Sequence, residues 1–167
     1  MTTFTTLHPS PVGDILLRAD DEGRLTDLHL RHDGARADRN PTHPPHYHPF
    51  DAVREQLDAY FAGELETFDV PLALHGTPFQ RRVWEQLTRI PFGETISYSD
   101  LARRLGDPKL VRAVGLANGR NPVSIIVPCH RVIGADGSLV GYGGGLERKQ
   151  WLLEHEAVTS GRRLPVG

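Results

Sequence analysis

The chain has 167 residues, of which 38% are hydrophobic and 24% are charged, and its formal net charge is −2. These values are typical of a globular protein that buries one good core or two small ones. No apolar run approaches the roughly 20 residues that span a bilayer, and the first residues lack the features of a signal peptide, so we expect a cytoplasmic protein without a membrane partner.

Charge is distributed unevenly between the two halves of the chain. Residues 1–75 carry 13 acids and 6 arginines, a net charge of −7, whereas residues 76–167 carry 13 bases and 8 acids, a net charge of +5. A basic half is suited to contact with a polyanion such as nucleic acid, although a solvated basic face has the same composition. The bases between residues 98 and 131 are Arg103, Arg104, Lys109, Arg112, Arg120 and Arg131.

The start of the chain predicts a small antiparallel sheet. Short apolar runs at residues 4–7, 15–19 and 25–30 alternate with clusters of turn residues. Residues 31–49 are polar and rich in proline and histidine, which predicts a mobile loop. The histidines of this loop are His43, His46 and His48. Because no cysteine accompanies them, we expect no metal site there.

The following segments predict helices on both sides of a domain boundary. A helix that Gly63 ends is followed by a strand at residues 68–72, and the pattern becomes purely helical after residue 76. The sequence therefore predicts an α+β fold with two domains, residues 1–75 and residues 76–167. The apolar helical positions are Phe50, Val53, Leu57, Tyr60 and Phe61 before the boundary, and Phe79, Val83, Leu87 and Ile90 after it.

Residues 99–117 predict two short helices around a tight turn. Ser99 is suited to cap the first helix, while Asp107 as N-cap and Pro108 at the first helical position are suited to start the second. This helix-turn-helix pattern occurs both in DNA-binding proteins and in ordinary helical cores. Small side chains on the second helix favour close approach to a DNA minor groove, or equally close packing against another helix. These small residues are Ala113, Gly115, Ala117 and Gly119.

The chain's only cysteine, Cys129, stands beside His130 after an apolar run. A thiol is mostly protonated at neutral pH, so covalent chemistry needs a nearby base, which His130 can supply directly or through one water. An isolated cysteine after an apolar run is also common as a small buried hydrophobe. The local sequence therefore predicts either a nucleophile or a core residue.

Five motifs in the C-terminal half stand in a fixed order. They are RAVG (112–115), NP (121–122), PCHRV (128–132), GYGGG (141–145) and LLEHE (152–156). Together they resemble the methylated-DNA–protein-cysteine methyltransferases, also called O6-alkylguanine-DNA alkyltransferases. The resemblance implies a ribonuclease-H-like N-terminal domain, a C-terminal domain that binds DNA and accepts the alkyl group, and no cofactor.

The resemblance implies catalytic roles for five residues. Cys129 would accept the alkyl group, His130 would act as its base through a water, and Glu156 would orient and charge that imidazole. Asn121 would tie the end of the recognition helix to the active-site loop, and the Tyr98 hydroxyl would donate to a guanine ring nitrogen. A zinc site that some relatives carry needs further cysteines, so the sequence predicts no metal.

The resemblance also implies contacts with the base and with the duplex. Tyr142 would form an aromatic wall, and the main chain of Val132 and Gly143 would read the base edge. Arg112 would enter the stack where the flipped nucleotide was, which offsets part of the cost of extrusion. Other DNA-binding residues are Ala113, Gly115 and Arg120.

The implied function is repair of DNA by irreversible transfer of an alkyl group from O6-alkylguanine to Cys129, once per protein molecule. The expected partner is double-stranded DNA that contains O6-alkylguanine, and the chain is expected to be a monomer; activity on O4-alkylthymine and cooperativity on DNA stay open. Two alternatives remain: a Cys-His-Glu hydrolase, which would turn over repeatedly on a small ester, and a non-catalytic helix-turn-helix sensor of alkylated DNA.

Overall fold

The computed structural model describes residues 3–30 and 48–161 of the chain. Within these residues, a small antiparallel sheet is followed by a mainly helical region, which is the α+β arrangement predicted from the sequence. Every described helix is too short or too polar to span a membrane. The elements are β1 (Thr3–His8), β2 (Ile15–Asp20), β3 (Leu25–Leu30), α1 (Asp51–Phe61), α2 (Pro78–Thr88), β4 (Ile96–Ser97), α3 (Tyr98–Arg104), α4 (Val111–Gly119), β5 (Val132–Ile133) and α5 (Leu146–Ser160).

The three N-terminal strands form one antiparallel sheet in the order β1-β2-β3. The predicted strands agree with the observed ones to within one residue at each end. Side chains of β1 alternate between buried and partly exposed positions, as expected for a strand with one covered face. The central strand β2 is buried almost continuously, because both of its faces are covered.

The segment after α1 differs from the prediction. The strand predicted at residues 68–72 is wrong, since the structure records a single parallel bridge there, between Leu72 and Leu25. The Leu25 amide donates to Pro71 O at 2.8 Å, and the Ala73 amide donates to Leu25 O at 3.0 Å. Because Pro71 has no amide hydrogen, a regular ladder cannot extend through this segment.

Strand β3 also holds the segment that leads to the cysteine. The Leu28 amide donates to Pro122 O at 2.9 Å, and the Ser124 amide donates to Leu28 O at 3.0 Å. Leu28 and Val123 are fully buried in one apolar cluster that also includes Cys129. The N-terminal sheet therefore fixes the start of the active-site loop.

The helix-turn-helix is formed by α3 and α4, but its first cap differs from the prediction. Ser97 caps α3, because its side chain accepts a hydrogen bond from the Asp100 amide while the Asp100 carboxylate accepts one from the Ser97 amide. Ser99, the predicted cap, lies inside the first turn. The reciprocal pair satisfies two amides that the helix itself cannot satisfy, which favours Ser97 over Ser99.

The second helix begins as its sequence predicts. The Asp107 side chain accepts from the Lys109 amide at 2.9 Å and caps a 3-10 turn, Pro108–Leu110, that leads directly into α4. The buried indole of Trp84 on α2 donates to Ala117 O at 2.9 Å. This bond fixes the last turn of α4 against the body of the protein.

The predicted loop at residues 31–49 lies outside the described residues, except for its last two positions. This applies to His43 and His46 as well. Among the described residues, no group of three or more His, Cys, Asp or Glu side chains is placed to hold a metal ion.

Candidate active site

The loop before Cys129 is a series of tight turns. Ile125 has a φ of 72°, and the Ile126 amide donates to Ser124 O at 2.9 Å, which closes a γ-turn around it. A β-branched residue in this region of backbone space is strained, and such strain persists only where the surrounding structure holds it. The Cys129 amide then donates to Val127 O at 2.8 Å. The loop therefore holds the thiol in one position.

Asn121 joins the end of α4 to this loop. Its Nδ2 donates to Val127 O at 2.7 Å, and its Oδ1 accepts from the Val123 amide at 3.0 Å. The side chain is buried, so both hydrogen bonds are shielded from water. The Asn121 side chain thus connects the residue that follows α4 to two backbone groups of the loop.

Glu156 on α5 is the centre of a buried charge network. One of its oxygens, Oε2, accepts from His130 Nε2 at 2.7 Å, and Arg131 binds both carboxylate oxygens, with Nε at 2.7 Å from Oε1 and Nη2 at 3.1 Å from Oε2. Tyr60 from α1 donates its hydroxyl to Oε2 at 2.6 Å, and the Gly93 amide lies 3.4 Å from Oε1. All acceptor positions of the carboxylate are therefore used.

The network fixes the proton on His130. Because Glu156 can only accept, Nε2 carries the hydrogen and Nδ1 is left as the bare acceptor. Nδ1 is buried and has no hydrogen-bond partner among the described residues. Burial lowers the pKa of His130, and the charge of Glu156 opposes that shift only in part, because Arg131 neutralises the same carboxylate. The resting imidazole is therefore neutral and suited to accept a proton.

The same arrangement explains the state of Glu156. Burial on its own would raise the pKa of this carboxyl group, but the hydrogen bonds from His130 and Arg131 and the charge of Arg131 outweigh burial and hold the pKa well below its usual range. The expected role in orienting the imidazole fits this geometry. The expected role in charging it is weaker than the sequence suggests, because most of the negative charge is paired with Arg131.

The thiol of Cys129 is protonated at rest. Burial raises its pKa, while a hydrogen bond from Asn121 and the charge of Lys149 oppose the rise. Lys149 on α5 is fully buried, and its Nζ donates to Val132 O at 2.7 Å and to Val140 O at 3.0 Å. Burial lowers the pKa of Lys149 to about 8. At neutral pH this residue therefore supplies a positive charge that favours the thiolate.

Cys129 opens onto a cavity of about 220 Å3. Tyr142 and Gly143 line it, and its remaining wall includes His29 and Leu30 from β3. Two predicted base-contacting residues bind other protein groups in this structure. The Tyr98 hydroxyl donates to Val140 O at 3.1 Å, and the carbonyl of Val132 is occupied by Lys149. The full set of lining residues is His29, Leu30, Asn118, Gly119, Arg120, Asn121, Ser124, Cys129, Gly141, Tyr142, Gly143 and Gly144.

Helix α4 presents an exposed face beside this cavity. Arg112 is exposed, Ala113 and Gly115 are partly exposed, and Leu116 is 64% exposed. Arg120 lies at the end of the helix and lines the cavity. Exposed α4 residues thus combine cations, small residues and the apolar side chains of Val111 and Leu116 next to the opening that leads to the thiol.

Four residues that shape this site were not identified from the sequence. Arg131 was counted with the surface bases, but it is buried in the ion pair with Glu156. Lys149 precedes the buried residues Leu152, Leu153 and Glu156 of α5 by three, four and seven positions. This helical spacing would have predicted that Lys149 lies on the buried face of the helix. No sequence pattern indicated the roles of Tyr60 and Asn118. The partner of Tyr60 is Glu156, which is distant in sequence, and the partner of Asn118 is a backbone carbonyl.

Comparison with known proteins gives the same result for both halves of the chain. Residues 3–74 match the family model of the 6-O-methylguanine DNA methyltransferase ribonuclease-like domain, and residues 78–158 match that of its DNA binding domain. The methylated-DNA–protein-cysteine methyltransferase of Methanosarcina acetivorans is 48% identical over 153 residues, which cover 92% of this chain and 97% of the relative.

Two further proteins extend the match. The methylated-DNA–protein-cysteine methyltransferase of Mycobacterium bovis is 53% identical over 148 residues, which cover 88% of each chain. The crystal structure of Mycobacterium tuberculosis OGT in complex with DNA is similar at a TM-score of 0.81, with 49% identity over 93% of each chain. The chain therefore belongs to the methylated-DNA–protein-cysteine methyltransferase family.

Proposed function

We propose that this protein repairs DNA by moving the alkyl group of an O6-alkylguanine onto Sγ of its own Cys129. One observation carries the proposal: a buried thiol opens onto a small cavity, next to a neutral histidine whose bare Nδ1 has no other partner among the described residues. Family membership over both halves of the chain supports the same reaction.

The reaction begins with loss of the thiol proton. His130 accepts this proton at Nδ1 through one bridging water, and Glu156 holds the ring through Nε2. The thiolate then attacks the alkyl carbon, the C–O6 bond breaks, and its electron pair stays on guanine. Because guanine leaves as an anion, a donor such as the Tyr98 hydroxyl lowers the barrier, and the thiol proton in effect ends on the base.

The product explains why the protein acts once. A thioether has no carbonyl for water to attack, so Cys129 stays alkylated. A Cys-His-Glu hydrolase would instead form a thioester and turn over. The non-catalytic sensor is not favoured either, since the cysteine stands in the position that the reaction requires. A stoichiometric transferase is the function that fits this site.

The base must leave the duplex to reach the thiol. Helix α4 is proposed to lie in the minor groove, where Gly115 and Ala113 allow close approach and Arg112 fills the vacated stack. The structure of Mycobacterium tuberculosis OGT in complex with DNA supports DNA as the partner. Inside the cavity, Tyr142 would pack against the base and the main chain of Gly143 would read its edge.

Three further features belong to this proposal. Residues 1–75 and 76–167 are treated as the two domains, since the charge balance and the helical pattern change between them. The chain is taken to act as a monomer, because all catalytic groups come from one chain. A reduced, single cysteine fits a cytoplasmic location.

Intact mass tests the function directly. After incubation with a duplex that contains O6-methylguanine, the protein should gain one methyl group, mapped to the peptide with Cys129. Cys129→Ser should gain none. A methyl group on another residue, or many guanines repaired per protein molecule, would contradict the proposal.

A further inference from the structure

The loop that carries Tyr142 into the cavity wall has little stiffness of its own. Four of its five residues, 141–145, are glycines, which adopt many backbone conformations at similar cost. Contacts from outside must therefore fix this glycine loop. Its first end follows Val140, whose carbonyl oxygen accepts from the Lys149 ammonium at 3.0 Å and from the Tyr98 hydroxyl at 3.1 Å. This end of the loop is thus anchored by residues of the C-terminal half.

The other end of the glycine loop is held by Arg148 of α5. Its Nη1 donates to Gly144 O at 3.1 Å, and its Nε donates to Val12 O at 2.7 Å. Val12 is buried and lies in the turn between β1 and β2, so one guanidinium joins the loop to the N-terminal half. The planar group suits this task, because its N–H donors point in fixed directions toward two acceptors at once.

The turn that presents the Val12 carbonyl is held by its own hydrogen bonds. The Ser10 side chain accepts from the Val12 amide at 3.2 Å and donates to Gly13 O at 2.6 Å, while the Gly13 amide donates to Ser10 O at 3.0 Å. These bonds fix the peptide groups on both sides of Val12. Arg148 therefore binds a preorganised acceptor.

The position of Gly144 makes the cavity wall depend on this clamp. Gly144 is buried, and a Cβ on it would overlap with the Leu30 side chain and with the Tyr142 ring. Its backbone is thus in close contact with β3 on one side and with the aromatic ring on the other. A displacement of the Gly144 carbonyl would therefore move Tyr142, although Arg148 acts from outside the described cavity wall.

We propose that Arg148 is a positioning residue that clamps the glycine loop to the β1–β2 turn, so that Tyr142 stands in the cavity wall before the extruded base arrives. The inference rests on the proposed function, because it takes the cavity as the place that receives the base. Ordering the loop in advance lowers the entropic cost of capturing the base. The thiol has separate supports, such as the bonds of Asn121 to its loop, so its own reactivity should not depend on the clamp.

Arg148→Met tests the clamp, because methionine keeps much of the apolar stem and removes every donor. We expect the second-order rate constant for methyl transfer from an O6-methylguanine duplex to fall by about three- to tenfold, as for one lost hydrogen bond. Amide hydrogen exchange of the peptide that contains residues 141–145 should become faster. Alkylation of Cys129 by iodoacetamide, measured without DNA, should keep its wild-type rate constant.

Arg148→Lys and Arg54→Met are the controls. Lysine keeps the charge but cannot span both carbonyls with one planar group, so it should recover part of the repair rate. Arg54 also joins two elements, because it donates to Thr6 Oγ1 at 2.7 Å and to His8 Nδ1 at 3.1 Å. Arg54→Met should therefore lower Tm as well, but it should leave the rate constant for methyl transfer unchanged.

A double-mutant cycle tests the path through the β1–β2 turn. Ser10→Ala removes the hydroxyl that holds Val12, so it should slow methyl transfer by about two- to threefold in the wild-type background. In the Arg148→Met background it should have almost no effect, because the link between turn and loop is already lost. Equal effects of Ser10→Ala in both backgrounds would contradict a path through Arg148.

Failure of the clamp and failure of the proposed function are distinguishable. An unchanged repair rate constant in Arg148→Met, or an equal fall in repair and in iodoacetamide alkylation, overturns the role of Arg148 while methyl transfer itself stands. Absence of methyl on Cys129 of the wild type overturns the proposed function. Where Arg148→Met does not fold, the same measurements on Arg148→Lys decide: a fall in repair alone supports the clamp, and no fall overturns it.

Discussion

At the scale of single residues, the site separates the group that takes the proton from the group that stabilises the thiolate. Arg131 pairs with Glu156, so this buried ion pair is close to neutral as seen from His130. The positive charge that acts on the thiol of Cys129 is instead the ammonium of Lys149. Two buried cations thus have different tasks, because Arg131 has a carboxylate partner whereas Lys149 donates to two carbonyl oxygens.

Lys149→Met tests this assignment. Methionine keeps the apolar stem but removes the charge, so the pKa of the Cys129 thiol should rise, and transfer at pH 7 should slow by about tenfold, equal to ~1.4 kcal/mol. In wild type the rate should stop increasing above about pH 8, where Lys149 loses its proton. In the variant the rate should continue to increase. Alkylation of Cys129 by iodoacetamide across pH measures the thiol without DNA, and identical profiles for the two proteins would remove Lys149 from the mechanism.

Only part of this residue-level picture could be predicted from the sequence. Cys129 and His130 are neighbours, so a thiol beside a base was visible at once. The link from His130 to Glu156 spans 26 positions and came from the family resemblance rather than from spacing. The direction of Arg131, inward to Glu156 instead of outward to solvent, depends on a tight turn that local sequence does not specify.

At the scale of elements, α4 is expected to do more than dock on DNA. If Arg112 fills the vacated stack, Arg112→Ala should slow repair of a paired duplex on the order of tenfold more than repair of a lesion in a flexible single strand, where extrusion costs less. Arg112→Lys should restore binding but only part of the duplex rate, because it keeps the charge without the planar group. If Arg112→Ala loses the same factor in repair rate on both substrates, and its DNA binding depends less on salt, then Arg112 only contacts a phosphate.

The glycine loop before α5 provides a matched pair of variants. A Cβ on Gly144 would lie 2.9 Å from the Leu30 Cβ and 2.9 Å from the Tyr142 ring, whereas a Cβ on Gly143 would meet nothing within 4 Å. Gly144→Ala should therefore lower Tm by about 3–10 °C, as for an overpacked core, and displace Tyr142 from the cavity. Gly143→Ala should leave Tm within about one degree. Equal Tm values in a thermal melt would show that the loop is free to move away from β3.

Element boundaries also show where sequence patterns stop being sufficient. Two serines stand two positions apart at the start of α3, and the choice of Ser97 over Ser99 depends on the carboxylate of Asp100. The apolar run at residues 68–72 has the composition of a strand, but Pro71 limits its pairing to a bridge at Leu72. Composition alone therefore predicted a strand that the hydrogen bonds of this segment do not form.

At the scale of the whole molecule, the N-terminal half takes part in the active site. Strand β3 binds the segment before the cysteine, and His29 and Leu30 form part of the cavity wall. The most direct link is the 2.6 Å hydrogen bond from Tyr60 to Glu156, which joins residues 96 positions apart. A sequence pattern placed Tyr60 on the apolar face of α1, but it carried no information about this partner.

Tyr60→Phe tests whether this link tunes the chemistry or only stabilises the fold. Burial first, and the charge of Glu156 next, raise the pKa of Tyr60 far above its usual value, so its hydroxyl stays protonated and donates. Without that donor, Glu156 acts more strongly on His130 and raises its pKa. Because the base must be neutral, the acidic limb of the single-turnover pH profile should move to higher pH. Thr6→Val is the control: it removes a buried hydroxyl that accepts from Arg54 at 2.7 Å, and it should lower Tm without moving the limb. If both variants have a lower Tm and neither shifts the acidic limb of the pH profile, Tyr60 stabilises the fold but does not affect the pKa of His130.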